Sequence, residues 1–191
     1  APAACPAEDG ADLWTDADRT AVRSALEQSD VPSAEVLARS IDRLLTRHTE
    51  RWRAQRDAAC ELGVAGHRQA SCLDGQRSAI RTIVDLLSQP NPGFDESVVT
   101  VPGSLPQPET CARDDASIDV EQTVVAKLTA DHARAEALRR VGQYQAAWQA
   151  FDQLIREARA AKFHRMEVIA TSHRAAAGLL ANHTDTRSDH D

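Results

Sequence analysis

An all-α fold, a helical hairpin or bundle followed by a helical repeat, is the class this sequence predicts, and three observations predict it. Apolar residues recur at three- and four-residue intervals along most of the chain, and no segment of four or more residues alternates as a half-buried strand does. Alanine supplies 34 of the 191 residues and aromatics only 4%, a mixture that suits closely packed helices because Ala gives up no side-chain entropy on entering one. Five of the eight prolines (Pro90, Pro92, Pro102, Pro106 and Pro108) fall between residues 90 and 108. Their missing N–H groups interrupt any long regular element there and leave helical patterns on either side.

The elements follow in order. Thr15 ahead of Asp16 and Asp18 is an N-cap with acids in the first turn, and predicts a helix to about Ser29 with Val22 and Leu26 inward. After Pro32 and Ser33 a long helix reaches about Leu62. Its stripe is Leu37, Ile41, Leu44, Leu45, His48 and Trp52, and the opposite face carries Arg39, Arg43, Arg47, Arg51 and Arg56. The run Gly-Val-Ala-Gly at 63–66 breaks that helix, and a third returns to about Gln89 with Leu73, Ile80, Ile83, Val84 and Leu87 inward. These two long helices should pair as an antiparallel hairpin. Beyond the prolines, Val120, Val124, Leu128, Ala135 and Leu138 mark a helix from about Ser117 to Val141, stopped by Gly142. Ala147, Trp148, Phe151, Leu154, Ile155 and Ala158 mark the next. Phe163, Met166, Ala170, His173, Ala177 and Leu180 mark the last, ahead of a polar tail from Thr184 that reads as frayed.

The expected organisation is therefore an N-terminal helical unit at 1–89, a proline-rich linker at 90–116, repeat-like helices at 117–183 and a tail at 184–191. The net charge of −7 argues against a nucleic-acid binder, which would show a basic footprint. No run of 18 apolar residues exists to span a membrane. The first residues, APAACPAEDG, lack the basic start and apolar stretch of a signal peptide. They read either as a cytosolic start or as a piece of something longer. Cys5, Cys60, Cys72 and Cys111 are spaced by 55, 12 and 39 residues, with no CxxC. Two disulfides suit that arithmetic better than a zinc or redox motif, with buried reduced thiols as the alternative.

The segment ALRRVGQYQAAWQAFDQLIREARAAKF resembles a tetratricopeptide repeat. Gly142 and Tyr144 match its Gly–x–Tyr turn, Ala147 the small residue that lets the two helices close, and Phe151 the aromatic four further on. Ala135 and Leu138 match the small and large positions of the first helix, although Asp131 stands where that helix prefers Trp or Leu. The resemblance implies one repeat, the start of a second, and further repeats in a longer parent, because such units stack in threes or more. On this register the groove-lining face of the first helix would carry His132, Glu136, Arg139 and Arg140, a basic row able to hold an acidic peptide end, or simply a solvated face.

The run RHTERWRAQRDAACELGVAGHRQASCLDGQRSAIRTIVDLL is similar to a region of large bacterial serine/threonine kinases, notably of myxobacteria. There the region follows the kinase domain and a transmembrane helix and precedes a tetratricopeptide array. Trp52, Arg56, Ala59 with Cys60, Arg68 with Gln69, and Cys72-Leu73-Asp74 with Arg77 match in order, and Cys5 and Cys111 occupy the places of the family's outer cysteines. The resemblance implies an extracytoplasmic, periplasmic-side location and the disulfides Cys60–Cys72 and Cys5–Cys111.

Catalytic motifs are missing: there is no phosphate loop, HExxH, GxSxG or kinase signature. His164, Glu167 and His173 share one helix, but at spacings too loose for a compact ligand set. Asp114, Asp115, Asp119 and Glu121 read as acids at a helix start, and Trp52 as a core anchor rather than a pocket lid. The sequence thus predicts a non-catalytic sensor or protein-interaction module of a membrane-anchored kinase, with no catalytic, cofactor or metal residues and a protein or peptide as its partner. A cytosolic tetratricopeptide adaptor is the alternative, and a helical-bundle metal or cofactor protein the third choice.

Overall fold

A computed structural model describes residues 13–91, 93–112 and 121–188, and these are all-α. Helix α1 (Asp16–Gln28) starts on a capping box. The Thr15 hydroxyl accepts from the Asp18 amide at 3.1 Å, and the Asp18 carboxylate accepts the Thr15 amide at 2.8 Å. Helix α2 (Ala34–Glu61), a 3₁₀ turn at Gly63–Gly66 and helix α3 (His67–Leu87) form the expected antiparallel hairpin. Trp52, 1% exposed, donates its indole N–H to the Leu73 carbonyl at 2.8 Å and ties the two helices. Leu44, expected inward, is 40% exposed, whereas Arg56, expected on the solvated face, turns in toward Asp74 at 3.3 Å.

Helices α4 (Gln122–Arg140), α5 (Tyr144–Ala160) and α6 (His164–Ser188) follow. Gly142 closes α4 at φ +76°, a left-handed conformation that Gly adopts without the steric cost of a Cβ. The backbone of α6 continues through Thr184–Ser188, where a frayed tail was expected. The expected start of α4 near Ser117 lies outside the described residues.

The proline-rich stretch is part of the core rather than a spacer between two units. It forms 3₁₀ segments at Glu96–Ser104 and Pro108–Ala112. Phe94, Val98, Val101 and Leu105, at three- and four-residue spacing, are buried with α1, α2 and α3. Proline forbids a long α-helix there, but short 3₁₀ turns tolerate it and still aim one apolar face inward. Helix α4 then joins both halves of the molecule. Ala130, Ala133, Ala137 and Val141 belong to the core of the hairpin, while Leu128, Ala135 and Leu138 belong to a second core with α5 and α6. The small side chains on the hairpin side let α4 lie close to α3.

The cysteine pairing also differs from the one the kinase resemblance implied. Cys72 is bonded to Cys111, and Cys60 is disulfide-bonded but not to Cys72. Cys5 lies outside the described residues. The reason is helical phase. Cys72 and Gln76 stand one turn apart on the face of α3 that meets the Pro108–Ala112 segment, and Gln76 Nε2 is 3.2 Å from Cys111 Sγ.

Candidate functional site

Four residues expected to line a groove, His132, Glu136, Arg139 and Arg140, do come together, but as a mutually paired cluster between α4 and α6. Their positions follow from α4 itself: His132, Glu136 and Arg140 succeed one another at four-residue intervals and share a face. The Glu136 side chain is 7% exposed. Arg139 grips it with two hydrogen bonds, Nε to Oε2 at 2.8 Å and a terminal nitrogen to Oε1 at 2.6 Å. Arg140 Nε lies 3.2 Å from Oε1, at ion-pair distance. Burial pushes the Glu136 carboxyl up, but the hydrogen bonds from Arg139 and the charges of both arginines outweigh it and hold the group below the usual carboxylate range. The two cations are thus spent largely within the protein.

His173 of α6, assigned by sequence to the apolar stripe, completes the cluster. Its Nδ1 faces His132 Nε2 at 3.3 Å and Glu136 Oε2 at 3.6 Å. Phe151 of α5 stands edge-on to the His173 ring at 5.5 Å between centroids and 6.0 Å from that of His132. Burial and the neighbouring His173 ring push His132 down to about 4, against the opposing pull of Glu136. The spacing of His132 and Glu136 was visible in the sequence. Their meeting with His173, 41 residues on, depends on the α4–α6 packing.

A second feature is the outer face of α6. Between Val168 and Leu180 every exposed position is uncharged: Val168, Thr171, Ser172, Ala175, Ala176, Leu179 and Leu180. Val168 and Leu179 are 68% and 67% exposed, the two highest values among the exposed large apolar side chains of the described residues. Beside this face, Trp148 of α5 packs over Gly178, and Arg174 sits 6.0 Å from the indole while pairing with Asp152 at 2.7 Å. Sequence reading placed Leu180 in the inward stripe and overlooked this outer face, although the run of uncharged residues was there to be read.

In the hairpin, His48 is 7% exposed and its Nε2 finds no hydrogen-bond partner among the described residues. Burial and the charge of Arg51 push it down to about 4, with Glu109 opposing. Trp52 is a core anchor. Asp114, Asp115 and Asp119 lie outside the described residues, and Glu121 is exposed and bonded to Thr123 at 2.9 Å. His164 pairs loosely with Glu167 at 3.5 Å, away from the half-buried His173. Among the described residues no group of three or more His, Cys, Asp or Glu side chains is arranged to hold a metal ion, and no helix is long and apolar enough to cross a membrane. No protein-family model, curated protein or solved structure matches this chain.

Proposed function

We propose that this chain is a protein-interaction module in which α4–α6 form a tetratricopeptide-like unit and the outer face of α6 receives a partner helix. In this reading it belongs to the extracytoplasmic side of a membrane-anchored bacterial serine/threonine kinase and reports partner binding to that enzyme. The observation that carries the interaction reading is the uncharged outer face from Val168 to Leu180. Val168, Leu179 and Leu180 leave apolar side chains in water on this face, and a second apolar helix would remove them from solvent. The Cys72–Cys111 disulfide supports an oxidising compartment. The Gly142–Tyr144 turn and the residue order around Trp52 and Cys72 support the two family resemblances.

A photo-reactive residue introduced at Leu179 in cells should yield one discrete cross-linked protein. The same probe at Glu50, exposed on α2, should yield none, and Val168→Asp should remove the adduct at 179. An absence of adducts at 179 overturns the interaction reading. Thiol titration of protein taken directly from cells tests the compartment: four reactive thiols would return the chain to the cytosolic adaptor.

A further inference from the structure

The exposed face of α6 has the same pattern read from either end. Counted from the midpoint between His173 and Arg174, Val168 and Leu179 stand equally far on either side, and so do Ser172 and Ala175. These four follow one another at intervals of four, three and four residues, the spacing of a narrow helix–helix seam. The large side chains at its ends are exposed to the same degree, and the two small ones between them form a waist. Neighbouring charges are already taken up within the protein. Arg174 pairs with Asp152 at 2.7 Å and Glu167 with Arg159 at 2.8 Å, while His173 turns toward His132 and Glu136. Trp148 of α5, packed over Gly178 and partly exposed, widens the apolar surface past the edge of α6.

We propose that the partner of this face is α6 of a second copy of the chain, lying antiparallel across a two-fold axis; this rests on reading the face as an interaction surface. In that pair Val168 of each copy meets Leu179 of the other, and Ser172 meets Ala175. The small waist brings the two axes to the near end of the range of about 8–10 Å, and the large pairs close over it at both ends. Antiparallel order also sets the start of each helix beside the end of the other, as their dipoles favour. A chain of net charge −7 repels its own copies, and a charge-free face lets two of them meet without opposing like charges. The face runs from Val168 to Leu180, about 18 Å at roughly 1.5 Å per residue. That is short for the ~1,200 Å² or more that a stable complex buries, so the pair exchanges with monomer.

Sedimentation equilibrium of the purified full chain, taken up to about 1 mM, should show the mean mass rising toward that of two chains. Val168→Lys and Leu179→Glu alter exposed positions outside the core. Each alone should weaken self-association at least about tenfold, by setting a charge against an apolar side chain. An equimolar mixture of the two variants should associate again, because the new cation at 168 then meets the new anion at 179. A photo-reactive residue at Leu179 should link to the tryptic fragment 166–174 of a second copy, which carries Val168. A wild type that stays monomeric, single variants that associate as wild type does, a mixture that does not recover, or a link to position 179 itself overturns the proposal. In cells, an adduct at 179 with a different protein overturns the second copy and keeps the interaction reading, whereas no adduct overturns both.

Discussion

Gly75 of α3 and Ala126 of α4 approach so closely that a Cβ on Gly75 would lie 3.2 Å from the Ala126 Cα and 3.4 Å from its Cβ. That contact lets one helix serve two cores, because α4 must press against the hairpin on one side and against α5 and α6 on the other.

Gly75→Ala is expected to change stability by less than about 1 kcal/mol. The gain in helix propensity, about 1 kcal/mol, offsets a neighbour that must yield by a few tenths of an ångström. Gly75→Leu has no such room and should cost roughly 2–3 kcal/mol by overpacking. Urea unfolding of the two variants separates them, and equal losses would place the α3–α4 contact elsewhere.

Trp52→Ala should cost about 3–5 kcal/mol, the range for emptying a fully buried aromatic site. Trp52→Phe keeps most of the apolar area but forfeits the bond to the Leu73 carbonyl, and should cost about 1–2 kcal/mol. Chemical denaturation measures both. A Phe variant as unstable as the Ala variant would contradict this division.

The Cys72–Cys111 bond joins cysteines 39 positions apart in the chain. Loop-entropy reasoning puts its contribution at about 4 kcal/mol, and Cys111→Ser should lose about 2–4 kcal/mol. An unreduced proteolytic digest should contain a peptide linking Cys72 to Cys111. A Cys60–Cys72 peptide in its place would restore the pairing that the kinase resemblance implied.

His48 makes the hairpin acid-sensitive. Its folded-state proton affinity lies below the ordinary value of 6.5, at about 4. The unfolded chain therefore binds a proton that the folded chain refuses. The stabilisation is complete above pH 6.5 and is lost as the pH falls toward 4, by roughly 2–3 kcal/mol at pH 4.5. His48→Leu should leave stability near pH 7.5 almost unchanged, since it removes an unbonded ring nitrogen, and should flatten the acid loss. Urea midpoints at the two pH values test it, and an equally steep acid loss in the variant would exonerate His48.

Much of the helical skeleton was legible because local rules set it. The Thr15 cap, the 63–66 break and the Gly142 stop each act within a few residues, and Leu73, Ile80, Ile83, Val84 and Leu87 face inward as their spacing predicts. The proline-rich stretch misled for a physical reason. Proline excludes an α-helix, not burial, and Val98 and Val101 are fully buried in 3₁₀ turns. The interaction candidate was half legible: the charge-free outer positions of α6 are in the sequence, but which of its faces points out is not.

By itself, then, the sequence determined the helical class, the helix boundaries at Thr15, 63–66 and Gly142, and the hairpin, since capping, propensity and periodicity are short-range effects. Only the tertiary structure decided three matters: that Cys72 meets Cys111, that α4 is shared by two cores, and that His173 closes on His132 and Glu136. Each depends on the phase and approach of helices far apart in the chain, which close packing of small side chains sets and no local pattern encodes.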